Sequence, residues 1–421
     1  MTNAGQNVYC RMRLLYSIGI YLYQSVLVML RWFKHTKAKA FLDGRKDLWG
    51  KLDHFSAEGK KVIWFHCASL GEFEQARPII EWYAAHRTHY YLLLTFFSPS
   101  GYAIRKDFSG VDAVLYMPLD TPANAAKFIS KVKPSIMIFT KYDLWWNHIH
   151  EALAMGCKGY LIAARFRKSH WFLQFPFTAF QRNLKAFEHL FLQYEEEGAI
   201  LSSLGFQNYS FAGDTRYDRV MALRTQVQLN PLPTFIKRDK PIFVAGSVWP
   251  EDMAVLIPFI QKHHHHWRFL IAPHEIHTEQ LNEWSLKLGL NCQRYTAKKE
   301  NEEMDGAVCF LDTIGHLAKA YSLAELAYIG GAFGKGLHNI LEAATFGVPV
   351  FFGPKHDKFP EASLWIQHQM GHSIHTTQTL EEKAELLMKH AEARQEIKTR
   401  IMKFIENQSG ASERICRSLP Q

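Results

Sequence analysis

Short, nearly continuous apolar runs recur along this chain, separated by helix-length amphipathic segments, and no other feature constrains the fold as much. KVIWFHCA (61–68), YYLLLTFF (90–97), AVLYM (113–117), SIMIFT (135–140), GYLIAA (159–164) and EHLFLQ (188–193) read as strands. Segments such as EFEQARPIIEWYAAH and DLWWNHIHEALAMG read as the helices between them. Apolar strands alternating with helices predict a parallel sheet covered on both faces. The rhythm breaks at TQVQLNPLPTFIKRDKP (225–241), which holds three prolines and a small charge run. It then restarts with PIFVAGS (241–247), WRFLIA (267–272), VCFLD (308–312), LAYIGG (326–331) and VPVFFG (348–353), and the last ~40 residues look helical. The pattern predicts an α/β fold of two doubly wound domains. Such sheets bind ligands beyond the carboxyl ends of their strands, so a cleft between the domains is the expected site.

At 421 residues and 48% hydrophobic content, the chain can build two or three full cores. The formal charge of +9 favours anionic partners such as acidic lipid or phosphorylated substrates. The charge is spread along the chain, with no RNA-recognition, zinc-finger or basic-zipper signature, which argues against nucleic acid. Six scattered cysteines fit neither a disulfide framework nor a zinc ribbon, and they suit a reducing compartment. Four consecutive histidines, His263 to His266, cannot all face one ion and read as a solvated helix end.

Between Arg13 and Arg31 lie 17 residues without charge, LLYSIGIYLYQSVLVML. The run is short against the ~20 apolar residues of a spanning helix. Its tyrosines and the cations that follow (Lys34, Lys37, Lys39, Arg45 and Lys46) suit a membrane anchor with the bulk of the chain cytoplasmic; the alternative is a buried core helix.

Two local patterns carry chemistry. In WFHCASLGEFEQARPII (64–80) a strand ends in small residues and opens into a helix bearing Glu72. Ser69 to Glu72 fits a capping box, in which Ser and Glu satisfy free amides at a helix start. A carboxylate there could equally serve as a base. The second pattern is LAYIGGAFGKGLHNILEAATFGVPVFFGP (326–354): strand, Gly330-Gly331, a glycine-containing loop, and a helix from about Asn339. Glycines admit a ligand close to the backbone, and a helix N-terminus offers amides to phosphate. Glu342 could cap this helix or accept both hydroxyls of a ribose. Neither G-x-G-x-x-G nor Walker A is present, which disfavours a Rossmann dehydrogenase.

HCASLGE and GGAFGKGLHNILEAATFGVPVFFGP, with KYDLWWN (141–147), ARFRKS (164–169), GDTRYD (213–218), GSVWPED (246–252), APHEIH (272–277) and DTIGHLAKAY (312–321) in order between them, resemble the 3-deoxy-D-manno-octulosonic acid (Kdo) transferases of lipopolysaccharide synthesis. The resemblance covers nearly the whole chain. It implies a GT-B glycosyltransferase, two Rossmann-like domains facing a cleft, that moves Kdo from CMP-Kdo to a lipid A precursor with inversion and without a cofactor. The alternative within enzymes is another GT-B transferase with a UDP donor. A membrane-bound scaffold is disfavoured by the retention of Glu72, Ser247, Asn339 and Glu342 together.

By the resemblance Glu72 is the general base. Donor contacts fall on Ser247, Asn339, Gly330 and Gly331 near the nucleotide, Glu342 at the ribose, Pro273 and His274 at the cytosine edge, and Arg216 at the donor's phosphate or carboxylate. Lys335 and His338 are looser candidates. Acceptor contacts fall on Ser69, Gly71, Asp143, Arg165, Arg167 and Lys168, with Trp171, Phe172, Phe175 and Phe177 close behind for acyl chains. Many members carry two glutamates in the segment before Leu-Trp. Here Lys141 puts a cation in place of one, and Asp143 keeps an acidic role. The implied layout is an anchor over 1–34, an acceptor domain over 35–225, a linker over 226–241 and a CMP-Kdo domain with C-terminal helices over 242–421. It sits at the cytoplasmic face of the inner membrane, on anionic lipid.

Overall fold

The computed structural model describes residues 3–85, 88–229, 236–298 and 303–420. The centre of the expected linker, 230–235, lies outside the described residues. The chain divides into two compact units, Met1–Asp218 with Ser409–Gln421, and Arg219–Gln408.

The first unit holds β1 (Lys61–Cys67), β2 (Tyr90–Phe96), β3 (Ala113–Tyr116), β4 (Ile136–Thr140), β5 (Lys158–Ala164), β6 (His189–Leu192) and β7 (Tyr209–Phe211). All pair parallel, in the order β3-β2-β1-β4-β5-β6-β7. The apolar run of β1 is explained by its two buried faces. Val62 and Trp64 enter one core cluster, whereas Ile63, Phe65 and Cys67 enter the other. A strand buried on both sides gains nothing from alternation.

The second unit repeats the plan with β8 (Ile242–Val248), β9 (Arg268–Pro273), β10 (Cys292–Arg294), β11 (Val308–Phe310), β12 (Leu326–Ile329), β13 (Val350–Phe352) and β14 (Gly371–Ser373), in the order β10-β11-β9-β8-β12-β13-β14. In each sheet the order turns back beside the first strand, between β1 and β4 and between β8 and β12. These turning points are where doubly wound sheets hold ligands.

The two compact units differ from the expected layout at two places. The units part at Asp218, within the helix Thr215–Leu229, ahead of the proline-rich segment. The last helix, Ala411–Ser418, belongs to the first unit and not to the second. Its Ile415 and Cys416, followed by Leu419, fill one of the first unit's core clusters. The Asp218 carboxylate accepts from the amides of Gly410 (2.5 Å) and Ser412 (2.6 Å), so it caps this helix from 192 and 194 residues away. Apolar burial and a charged cap together outweigh sequence proximity.

The N-terminal segment forms one helix, Asn3–Trp32, mostly exposed and not the buried core helix of the alternative reading. Among the described residues, Asn7–Trp32 is long and apolar enough to cross a membrane.

Ile415→Ala should cost ~2–4 kcal/mol, as a large-to-small change at a fully buried site. Hydrogen exchange should show protection lost in β1, β2 and the helix Leu70–Ala84, with β8 and β9 unaffected.

Candidate active site

In the first unit, β1 and β4 pair with His66 opposite Phe139, so their carboxyl ends lie level. The loop after β1 enters the helix Leu70–Ala84 with Ser69 as its cap, accepting from the Glu72 amide at 3.4 Å. Glu72 is 7% exposed, and its Oε2 accepts from the Ala68 amide at 2.6 Å. Capping and presentation are therefore not exclusive. One carboxylate oxygen is anchored to backbone, while the side chain also hydrogen-bonds Asp143 from the loop after β4.

Two carboxyls in contact and out of water cannot both ionise cheaply. Burial raises the Glu72 pKa, and the Asp143 charge raises it further; Lys141 and the Ala68 amide pull it down without cancelling the rise. Burial also raises Asp143, opposed by its bond to Glu72 and by Lys141. The two groups titrate as a pair that tends to hold one proton. Lys141, where the resemblance expects a carboxylate, adopts a left-handed backbone (φ 63°), uncommon for a non-glycine residue, and donates its amide to the Ile162 carbonyl at 2.9 Å. The cation thus offsets part of the double negative charge.

The neighbours of the pair are inert. Burial pushes the Cys67 thiol far up, and the nearby Glu72 adds to this, as expected of a small buried hydrophobe. Burial depresses His66 to about 3, so its ring is neutral. Its Nε2 accepts from Trp145 Nε1 at 3.0 Å, which leaves the proton on Nδ1, facing Thr95 Oγ1 at 2.9 Å. His66 is a structural post beneath the Asp143 loop.

The expected acceptor residues divide. Ser69, Gly71, Glu72 and Asp143 come together at the ends of β1 and β4. A Cβ built on Gly71 would meet only Ser69 Oγ, at 4.0 Å, so this first helical turn is open. Arg165 is engaged structurally: its Nε donates to Glu197 Oε1 at 2.8 Å, and Glu197 also accepts from the Phe166 amide. Arg167 and Lys168 are exposed. Past them, the aromatic stretch forms two 3-10 turns, Trp171–Leu173 and Phe177–Phe180, which bury Phe172 and expose Trp171, Phe175 and Phe177. Arg216 belongs to this first unit and grips Asp214 with Nε at 3.0 Å and Nη2 at 2.7 Å. Burial would raise the Asp214 carboxyl, but Arg216 overrides it and holds it below the usual range. Arg216 and Asp214 thus form an ion pair within the first unit.

In the second unit Gly330 lies against the end of β8. A Cβ on it would fall 2.3 Å from the Ser247 carbonyl oxygen, so only glycine lets these strand ends meet. Ser247 has φ 54°, beside a register shift between Ala245 and Val248. Strain of this kind tends to accompany functional loops. Gly331 (φ 95°) turns the chain and donates its amide to Asp252 Oδ2 at 2.8 Å. Asp252, absent from the expected set, is the hub: the same buried carboxylate accepts from the Trp249 amide (2.8 Å) and the Tyr328 hydroxyl (2.8 Å). Its position in WPED, at the third residue of the helix Pro250–His263, is a capping signal legible in sequence; its reach to residues 76 and 79 positions away is not.

Above this hub three rings stack, Trp249 on His274 (4.4 Å) and His274 on His338 (4.4 Å), with Lys335 Nζ 3.6 Å from the Trp249 ring centroid. Burial, then His274, lowers His338 to about 4, and Trp249 Nε1 donates to its Nε2 at 3.1 Å. Pro273 ends β9, and the His274 amide is tied to the Val248 carbonyl at 3.0 Å. The helix expected from Asn339 is one turn, Leu341–Ala344. Asn339 Oδ1 accepts from the Leu341 amide at 3.1 Å, and its Nδ2 donates to Glu342 Oε1 at 3.4 Å. Glu342 is thereby tied to the Asn339 side chain. Neutral rings, a cation, turned backbone and a half-buried carboxylate suit a planar base, an anion and paired hydroxyls. Among the described residues no cluster of His, Cys, Asp and Glu could hold a metal ion, His263 to His266 included.

Two seven-stranded parallel sheets, each with polar residues gathered at its turning point, define the GT-B fold. A solved UDP-GlcNAc 2-epimerase from Neisseria meningitidis shares this fold, with a TM-score of 0.60 over 85% of this chain and 98% of that one, at 14% identity. A sequence profile described as 3-Deoxy-D-manno-octulosonic-acid transferase (kdotransferase) matches residues 40–219. A 3-deoxy-D-manno-octulosonic acid transferase of Haemophilus influenzae is 24% identical over 417 residues, 96% of this chain and 97% of that protein. One from Chlamydophila psittaci is 26% identical over 302 residues, 70% of this chain and 69% of that protein. The resemblance to the Kdo transferases thus holds along nearly the whole chain, and these matches indicate a glycosyltransferase enzyme.

Because the Glu72 carboxyl is raised on folding, the folded state holds an extra proton between its unfolded and folded pKa values. Stability therefore falls as pH rises through that window. Glu72→Gln, which keeps an acceptor for Ala68 and removes one charge, should be more stable than the native chain by ~1–2 kcal/mol near pH 8. Thermal unfolding across pH should show the gain vanish toward the ordinary carboxylate range.

Proposed function

We propose that this chain transfers Kdo from CMP-Kdo to a lipid A precursor of the lipid IVA type, with inversion, at the cytoplasmic face of the inner membrane. The observation that carries the reading is the buried Glu72–Asp143 pair at the β1–β4 turning point, with Lys141 beside it.

A single displacement needs a base at the acceptor hydroxyl. Glu72 takes that proton. The acceptor oxygen bonds to the anomeric carbon as the bond from that carbon to the CMP phosphate breaks, and the electron pair leaves with CMP. A carboxylate raised by burial and by a like charge is a stronger base than one in water, provided it is ionised at working pH. Lys141 supports that ionised state. Ala68 fixes one oxygen, so the carboxylate needs little reorganisation as the proton moves.

The second unit supplies the donor side. The flat column of Trp249, His274 and His338, with Pro273, suits the cytosine. Ser247, Asn339 and the backbone around Gly330 and Gly331, with Lys335, suit the phosphate whose charge grows as CMP leaves. Glu342 suits the ribose hydroxyls.

Glu72→Gln should lower transfer by at least ~100-fold, the scale of a lost general base. CMP, and not UDP, should still raise the unfolding temperature of that variant. Turnover within a few-fold of native would refute the base.

The pH dependence has a definite sign. The rate should rise with pH through a limb above the ordinary carboxylate range. Asp143→Asn removes a like charge and should move that limb to lower pH, while Lys141→Met removes the offsetting cation and should move it higher. Rate profiles against pH for the three proteins test the order.

A further inference from the structure

The helix Asn3–Trp32 is amphipathic in the wrong sense for a water-soluble surface. A set of its polar residues faces the first unit. Tyr9 donates to Asn183 Oδ1 (2.9 Å), Arg13 to Asn147 Oδ1 (2.7 Å) and to Glu151 (2.6 Å), and Tyr16 to Asp120 Oδ2 (2.7 Å). Ser17 Oγ accepts from Asn147 Nδ2 (3.2 Å), and Arg31 pairs with Asp43 (2.9 Å). Spaced at helical intervals, these residues form one stripe down the protein-facing side. The opposite side is a seam of Leu14, Leu15, Ile18, Leu22, Val26 and Met29, each between 46% and 64% exposed. At its end Trp32 and Phe33 are 87% and 77% exposed. A large exposed apolar patch calls for a covering partner.

Ring contacts link the helix to a second exposed aromatic group. Tyr16 meets Phe180 at 5.7 Å, Phe180 meets Trp171 at 5.2 Å, and Trp171 meets Phe177 at 5.3 Å, leading to Phe175, which is 90% exposed. Exposed cations border it: Arg11, Lys34 and Lys37 along the helix and its exit, and Arg167 and Lys168 before the aromatic turns. An apolar seam with aromatic flanks and a rim of cations matches an anionic phospholipid surface, with acyl chains beneath and phosphates at the edge.

We propose that this helix does not cross the bilayer but lies along it, with the 171–177 turns as a second point of insertion. A spanning helix would have to leave the first unit, stripping Asp120 and Asn147 (both fully buried) of partners, or take Asp120 and Glu151 with it into hydrocarbon. Docked as observed, the helix keeps these polar contacts and offers its leucine-rich seam to lipid, with Tyr21 and Tyr23 also exposed. The inference deepens the membrane location proposed above and rests on it.

The test uses the full chain. Purified protein should float with phosphatidylglycerol-containing vesicles, more weakly with phosphatidylcholine alone, and the anionic preference should shrink in high salt. Leu22→Glu with Val26→Glu should reduce flotation at least tenfold with no change in unfolding temperature, since both sites are exposed. Tyr16→Phe with Arg13→Met should lower the unfolding temperature of the soluble protein, which a free membrane helix would not do. Cys10 is exposed, and a Cys292→Ser background removes the half-buried thiol. A membrane-impermeant maleimide should then label Cys10 in inverted membrane vesicles and not in spheroplasts. Labelling in spheroplasts would place Cys10 across the membrane and overturn the in-plane arrangement. Failure of the native protein to float with either vesicle would overturn the membrane location itself.

Discussion

The parallel pairing of β1 with β4 is the constraint from which the first unit's chemistry follows. Because His66 stands opposite Phe139, the loops that begin at Ala68 and Lys141 leave the sheet at the same height. They can then bring Glu72 and Asp143 into contact across 71 positions of sequence. Proximity alone would favour a solvated pair with ordinary pKa values. Burial changes the outcome, because desolvation is the first cause of the rise in both carboxyls and exceeds what Lys141 and the Ala68 amide return. The strained backbone at Lys141 keeps its cation in the same loop as Asp143. Basicity is produced by the sheet as much as by the glutamate.

The second unit uses the same topology for different electrostatics. Its turning point carries glycine, serine and neutral rings around a single buried acid, and that acid is consumed internally. Asp252 accepts three hydrogen bonds and so fixes the Gly331 turn, the Trp249 loop and Tyr328 together. Loss of one partner would leave a buried charge underbonded, a heavier cost than loss of a surface contact. The rigid frame beneath the stacked rings explains why the flat surface of Trp249, His274 and His338 can exist without a helix of any length at Asn339.

Most of the sheet was legible because its strands are buried on both faces and show as unbroken apolar runs. The strands without such runs were not: β7 is Tyr-Ser-Phe, β10 Cys-Gln-Arg and β14 Gly-His-Ser, three-residue edges whose pairing is set by neighbours. At the site, Glu72 and Asp143 were legible by motif, but their contact was not, since pairing register is a tertiary fact. Arg216 and Arg165 were legible as cations, but their pairing with Asp214 and Glu197 was not, since the fold decides which acid lies beside a cation. Asp252 announced itself as a helix cap and concealed its reach across the sheet. The final helix was read correctly as a helix and assigned to the wrong unit, because Ile415 and Leu419 carry no mark of which core they fill.

The same helix that follows Asp143 also receives the N-terminal segment. Asn147, four residues past Asp143, donates its amide to Asp120 Oδ2 and its side chain to Ser17; His148 donates its amide to Asp120 Oδ1. Asp120, fully buried, accepts from Tyr16 as well. One acid therefore clamps the start of the helix Trp146–Ala154 to the helix Asn3–Trp32, while the residues just before that start hold Asp143 against Glu72. A buried carboxylate is a costly way to join two helices when apolar packing would serve, and buried ion networks often add little net stability. What such a joint does supply is a fixed register, because each bond has one geometry. The outward seam of leucines could then be left to a non-specific partner, since the inward stripe already determines where the helix lies relative to Asp143.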